Sequence, residues 1–431
     1  MTLIADSAGV AAFCRRLARA DYITVDTEFM REKTFWPKLC LIQLAGPNEA
    51  AAIDPLVPGI DLTPLLNLLA RESVLKVFHG ARQDIEIFFH MSGKVPRSLY
   101  DTQIAAMVCG FGDQVGYETL VTRLTGYRLD KSSRFTDWSL RPLTEKQLSY
   151  ALGDVIYLRA AFERLRERIE TAGRSAWLEE ELAVLTDADT YRLDPALAWQ
   201  RLKTRSSDRR FLATLKSVAA WREEEAMRRD VPRNRVLRDE AVFEIAAHPP
   251  QDSQALGRIR GISRGLNQAE ALLEAVRRGQ ELPLEQAPQP RPKTELPRGL
   301  GPLVDLLKVL LKHRCEQNHV AQKLVATTTD LERIAADDEA QVPALSGWRR
   351  QLFGNDALRL KHGKIALAAG SGEVCLLPVN GALEAVASDR EKHQDATIAR
   401  GGTRRRRRRR RNRAEAQEAV PGAAPADAQA T

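Results

Sequence analysis

Residues 22–56 read YITVDTEFMREKTFWPKLCLIQLAGPNEAAAIDPL, and the alternation of short apolar runs with turn residues along this stretch decides the fold. YITVDTEF, KLCLIQLAG and AAIDPL each have strand length and a strand-like composition, which predicts three consecutive strands. Working outward, VLKVFHG at 74–80 predicts a fourth strand. It follows the leucine-rich helical stretch LTPLLNLLARE and runs straight into a helix carrying Ile85, Phe88 and Phe89. From Leu99 onward the chain reads as helical, ending in TEKQLSYALGDVIYLRAAFERLRERIE. There Thr144 can cap, and Leu148, Ala151, Leu152, Val155 and Leu158 share one face. Strands first, then helix, strand and helix, predict an α/β domain over residues 1–170.

At 431 residues the chain is too long for a single core. Residues 171–207 read as a connecting helical arm packed on the first domain, with Trp177, Trp199 and alternating charges. A helical module is expected over 208–282, with Leu212, Leu215, Ala219 and Arg222 marking its first helix. Prolines at 283, 288, 290, 292 and 297 make 283–299 a semi-extended linker. A second helical unit is expected over 300–372, and residues 386–431, polar and then arginine-rich, have the composition of a disordered basic tail.

No apolar run approaches the roughly 20 residues of a membrane span, and Asp6 interrupts the only apolar start, so a cytoplasmic protein with no secretory signal and no membrane contact is expected. Five cysteines at irregular spacing, without a C-x-x-C pair, read as reduced thiols; HRCEQNH at 313–319 lacks the four ligands of a structural zinc site. The net charge is +8, yet ten arginines lie between Arg400 and Arg413, and without them the body carries −2. The basic character is thus local. The run Arg404 to Arg411 cannot form a packed unit; it reads as a non-specific RNA contact or as a solubilising tail.

The chemistry is carried by acids. Asp26 and Glu28, at i and i+2 of the first predicted strand, leave the same face of the sheet, where two carboxylates repel unless a cation neutralises them. Taken alone, the pair reads as a solvated strand end. Asp84 opens a helix after VLKVFHG, where it can cap or point back over the strand ends. Tyr150 and Asp154 are one helical turn apart. Hydrolysis of a phosphodiester needs an activated water and charge stabilisation on the leaving 3′ oxygen. Two divalent ions, Mg²⁺ or Mn²⁺, held by oxygen ligands meet both needs. Asp26, Glu28, Asp84 and Asp154 supply four carboxylates, and the Tyr150 hydroxyl can orient the water.

The segments VDTEFMREKTFWPKLCLIQLA, VFHGARQDIEIFF, YDTQIAAMVCGFG and DWSLRPLTEKQLSYALGDVIYL resemble the successive exonuclease motifs of the ribonuclease D family, within the DEDD exonuclease superfamily. The resemblance covers most of residues 20–160. It implies a ribonuclease H-like α/β domain with a mixed sheet covered by helices, and removal of 3′ nucleotides as 5′ monophosphates. Metal ligation falls to Asp26, Glu28, Asp84 and Asp154, and Tyr150 places the chain in the tyrosine subclass. By the same resemblance Phe29 and Met30 stand where terminal bases are wedged or stacked. His79 can reach the site or be a satisfied core histidine, and Asp101 reads as a helix cap. Lys131, Arg134 and Arg141 flank the last motif as phosphate contacts or as a solvated face.

Residues 208–246 resemble the HRDC module, a small all-α bundle, and 300–372 resemble a weaker second copy. Both imply nucleic-acid holding or a structural role. The reading that results is a monomeric 3′ to 5′ exoribonuclease acting on RNA, with precursor tRNA 3′ ends favoured by resemblance. A proofreading-type DNA exonuclease and a non-catalytic RNA-binding protein are the competing readings.

Overall fold

The computed structural model describes residues 2–129, 136–262, 268–289, 297 and 299–379. The expectations for Lys131, Arg134 and Arg404–Arg411 therefore fall outside the described residues.

The first domain is built on a six-stranded sheet. Its strands are β1 (Thr2–Ile4), β2 (Tyr22–Met30), β3 (Lys38–Ala45), β4 (Ala50–Ile53), β5 (Leu75–Phe78) and β6 (Leu99–Asp101), in the order β1-β4-β3-β2-β5-β6. The β2–β3–β4 pairs are antiparallel, while β1–β4, β2–β5 and β5–β6 are parallel, so the sheet is mixed. Four strands fall where the apolar runs predict them. The two edge strands, three residues each, are additions, and β6 replaces the helical start expected at Leu99.

Helices α1 (Ser7–Leu17), α2 (Thr63–Leu69), α3 (Arg82–Ser92), α4 (Thr102–Val108), α5 (Tyr117–Thr125) and α6 (Glu145–Thr171) cover the sheet. α6 begins at a capping box, with Thr144 accepting from the Gln147 amide and Gln147 reaching back to the Thr144 amide. Its buried stripe includes Ala151, Leu152, Val155 and Leu158, as its spacing predicts. Thr24 on β2 donates to the Val155 carbonyl (2.8 Å), which seats α6 against the face that carries the even-numbered β2 side chains.

The connecting arm divides. Helix α7 (Ser175–Thr186) buries Leu178, Leu182 and Leu185 in the catalytic core, whereas Ala198 and Leu202, farther along, belong to the core of the first helical module. That module is built on α8 (Arg209–Arg229), two short helices at Arg233–Val236 and Asp239–Ala247, and a closing helix at Ala269–Glu281. The second module repeats the long, short, medium order with Gly301–Gln317, Gln322–Val325 and Thr328–Ala336. It is not purely helical: β7 (Ile365–Gly370) and β8 (Glu373–Pro378) form an antiparallel hairpin that carries the unit past the expected end at 372.

Each module docks at the turn after its long helix. In the first, the Asp230 carboxylate accepts from the Phe35 and Trp36 amides (3.0 and 2.9 Å), gripping the loop that leaves β2. In the second, the Asn318 and His319 carbonyls accept from Arg174, and the Ala321 amide donates to Met107 (2.8 Å). Trp177 stacks on Trp348 with ring centroids 4.3 Å apart. Among the described residues, no helix is long and apolar enough to cross a membrane.

Candidate active site

Strand alternation puts Asp26 and Glu28 on the face of β2 that meets α6, opposite Gln43 and Leu41 of β3. α6 brings Asp154 to the same place. One carboxylate oxygen from each of Asp26, Glu28 and Asp154 lies within 4.8 Å of the others. Tyr150, one turn earlier on α6, hydrogen-bonds the Asp154 carboxylate. All four line a cavity of about 400 Å³ together with His79, Tyr117, Glu118 and Thr119.

Asp84 does not join that close trio. It sits in the first turn of α3, buried, and accepts a hydrogen bond from the Thr27 hydroxyl, which projects from the other face of β2. Its charge is nonetheless felt by Glu28, and the charge of Asp26 is felt by Asp84. Gly80 makes this placement possible. Its φ of +76° ends β5 in a left-handed turn that launches α3, and the Asp101 carboxylate holds the turn by accepting from the Gly80 and Ala81 amides (3.0 and 2.8 Å). Asp101 also caps α4 through the Gln103 amide, the role read for it from the sequence.

Electrostatically the site is strained by like charge. Burial, then the nearby Asp154, pushes Asp26 well above the usual carboxylate range, and burial, then Asp26, does the same to Asp84. Burial followed by the charges of Asp26, Asp154 and Asp84 pushes Glu28 up to about 10. Burial raises Asp154 to about 7 against the opposing hydrogen bond from Tyr150. Among the described residues, those lining the cavity include no lysine or arginine to relieve this repulsion. An all-oxygen donor set with unneutralised charge fits a hard divalent cation.

The remaining sequence-derived residues separate. His79 lines the cavity, but both ring nitrogens are engaged, Nδ1 with the Thr102 hydroxyl (3.0 Å) and Nε2 with the Val115 carbonyl (3.1 Å). Phe29 and Met30 are not among the lining residues. The register of β2 shifts between Glu28 and Phe29, and Met30 packs against the cluster of Cys40, Leu41, Trp138 and Leu152. Arg141 must be corrected from phosphate contact to internal brace. It grips Asp54 through Nε (2.6 Å) and Nη2 (2.7 Å), and it donates to the carbonyls of Cys40, Trp138 and Leu140. With its donors directed inward, it has little left for a substrate.

Two residues of the site have no counterpart in the sequence reading. Tyr117 lines the cavity and donates from its hydroxyl to the Gly153 carbonyl (2.9 Å), fixing α6 between Tyr150 and Asp154. Trp138 packs beside Tyr150, ring centroids 6.1 Å apart. Tyr117 stands in GYETL, which carries no pattern beyond that of an ordinary helix start; DWSL belongs to an exonuclease motif without marking its tryptophan.

Comparison with known proteins identifies the family of the chain. A family model described as 3′-5′ exonuclease matches residues 1–170, and one for the HRDC domain matches residues 211–275. Ribonuclease D of Granulibacter bethesdensis is 50% identical over 380 residues, 87% of this chain and 96% of that protein. Ribonuclease D of Acidiphilium cryptum is 52% identical over 370 residues, covering 85% and 94%. Among solved structures, Escherichia coli RNase D, described as an exoribonuclease involved in structured RNA processing, aligns with a TM-score of 0.72 at 30% identity, covering 84% of this chain and 98% of that one.

Proposed function

The chain belongs to the ribonuclease D family of 3′ to 5′ exoribonucleases, and from that premise we propose that Asp26, Glu28, Asp84 and Asp154 hold two divalent ions, Mg²⁺ or Mn²⁺, beside Tyr150. The family is divalent-metal-dependent. The observation that carries the residue assignment is the carboxylate trio within 4.8 Å, its pKa values raised by burial and, at Asp26 and Glu28, by the neighbouring carboxylates. When bound, such ions supply the activated water and the charge stabilisation that phosphodiester hydrolysis needs.

The chain's own groups do the rest. Glu28 and Asp26 present their oxygens from a rigid central strand, so the ligands do not have to be ordered at each turnover. The Tyr150 hydroxyl, held by Asp154, orients the attacking water, and Tyr117 keeps the turn between those two residues in place through Gly153. Nucleoside 5′ monophosphates leave. RNA is the substrate class, and within it precursor tRNA with extra 3′ nucleotides is the proposed target. Arg404–Arg411 adds non-specific attraction, and the enzyme works as a cytoplasmic monomer.

The test is direct. Purified protein with Mg²⁺ or Mn²⁺ should shorten a structured RNA with a 3′ extension, one nucleotide at a time, faster than a matched DNA. Asp26→Asn should remove the activity while circular dichroism stays unchanged, and persistent trimming by that variant would overturn the assignment.

A further inference from the structure

Among the described residues, no lysine or arginine lines the cavity that holds the acids, so cations for the RNA backbone are to be sought beside it. A second cleft, of about 740 Å³, opens where the catalytic domain meets the first helical module. Six arginines line it, Arg31, Arg82, Arg192, Arg201, Arg222 and Arg233, against the three carboxylates Glu86, Glu223 and Asp239, with Arg192 also paired to Asp189 at 2.7 Å.

The internal pairing leaves donors over. Glu223, 1% exposed, is shared by Arg201 (2.8 Å) and Arg233 (2.5 and 2.6 Å), so a single carboxylate serves two guanidiniums. Arg222, 4% exposed, gives Nη1 to Asp239 (2.6 Å) and to the Leu237 carbonyl (3.1 Å). Its Nε, cut off from solvent, has no partner. Arg31 pairs with Glu86 at 2.8 Å. Arg82 is exposed in the first turn of α3 and makes no hydrogen bond or ion pair with another described residue. An exposed, unpaired Arg82 near Arg201, which shares its single carboxylate with Arg233, in a cleft with surplus positive charge, is a site suited to an anion.

Its position says which anion. Arg31 lies three residues beyond Glu28 on the same strand and loop, a backbone reach of about 10 Å, and Arg82 lies two residues before Asp84. The cleft therefore shares two elements with the acids, and its far wall is the first module. We propose that this cleft binds backbone phosphates of the RNA strand upstream of its 3′ end, through Arg82 and Arg201. The planar guanidinium suits a phosphodiester, and pairing of this kind fixes register without reading sequence. This rests on the exoribonuclease reading and deepens it: the module acts as one jaw of the substrate channel.

The experiment uses the full chain and an Arg82→Gln/Arg201→Gln double variant, which leaves Glu223 paired with Arg233. KM for an oligoribonucleotide should rise about ten-fold, and KM for a dinucleotide less than about two-fold. The salt slope of oligoribonucleotide binding should fall by about 0.7 for each phosphate that the variant no longer neutralises. Arg82→Lys/Arg201→Lys should recover most of the salt slope. An unchanged KM and slope for the oligoribonucleotide would overturn the proposal. So would an equal loss on both substrates, which would mean that the arginines act on the acidic centre itself. If inorganic phosphate alone raises the Tm of the wild type but not of the variant while RNA affinity is unmoved, the cleft is a small-anion site and the RNA assignment falls. Dinucleotide hydrolysis by the wild type reports separately on the exoribonuclease reading.

Discussion

Two charge clusters, one buried and one half-buried, lie within the same domain and are built on opposite principles. At one end of β4, Asp54 is 5% exposed, and Arg141 grips it with two nitrogens. Burial works against the charged carboxyl, but the hydrogen bonds from Arg141 and from the Leu56 amide outweigh it, and its pKa is lowered. At the end of β2 and on α6, Asp26, Glu28 and Asp154 converge with one another and, among the described residues, with no cationic side chain lining their cavity; their pKa values rise. A cluster that exists for stability is satisfied within the chain. One left repelling itself suits a ligand from outside, and the ligand proposed here is a cation.

The largest way to break this contrast is Asp26→Asn. Exonuclease activity should fall by at least ~10²–10³-fold, the scale of losing one group that stabilises transition-state charge. The metal-free variant should melt about 2–4 °C higher than the metal-free wild type, because one of the repelling charges is gone. A variant that loses both activity and stability would place Asp26 with Asp54, as a structural acid.

The mirror experiment is Arg141→Met, which leaves Asp54 buried without its cation. Breaking a buried pair from one side costs about 3 kcal/mol, readable as a lower denaturant midpoint at unchanged slope. Activity per folded molecule should hold, since Arg141 faces inward.

Acidity gives a smaller and graded comparison. The folded-state pKa of Asp154 is raised from 3.8 to about 7, so the folded protein retains a proton that the unfolded chain has released. Stability from this group is full below about pH 4 and is lost as pH rises through 7. Metal-free protein should therefore lose a few degrees of Tm over that window, and saturating Mn²⁺ should remove the decline. Asp54, lowered, runs the other way: its contribution is present above pH 4 and is lost as pH falls below it.

The smallest effect concerns the module grip beside the site. Asp230→Ala removes two hydrogen bonds to the loop leaving β2, worth about 1–2 kcal/mol locally. Hydrogen exchange at the Phe35 and Trp36 amides should speed up while the core of α8 stays protected.

Much of this contrast is legible in the sequence, and the part that is not has a physical reason. Strands β2 to β5 and helix α6 show their periodicity because each is long enough to alternate or to turn. β1 and β6, three residues each, are too short to do either, and the alanine-rich β7 lacks strand composition. Asp26 and Glu28, which alone read as a solvated strand end, become legible only in the ordered set with Asp84, Tyr150 and Asp154. Arg141 does not: beside the last motif, an arginine reaching for a phosphate and one reaching for Asp54, 87 residues earlier, spell the same way. Tyr117 is silent for a similar reason, as its partner is a backbone carbonyl of α6, invisible to any reading of residue types.

The central claim is that the repelling acids are kept for divalent cations, and calorimetric titration of Mn²⁺ into the metal-free protein at neutral pH, in buffers of different ionisation heat, tests it most directly. The account predicts saturable binding with proton release, because Glu28 at about 10 and Asp154 at about 7 must give up protons to become ligands. It predicts weakened binding in Asp26→Asn. Binding without proton release, or equal binding by that variant, would contradict it.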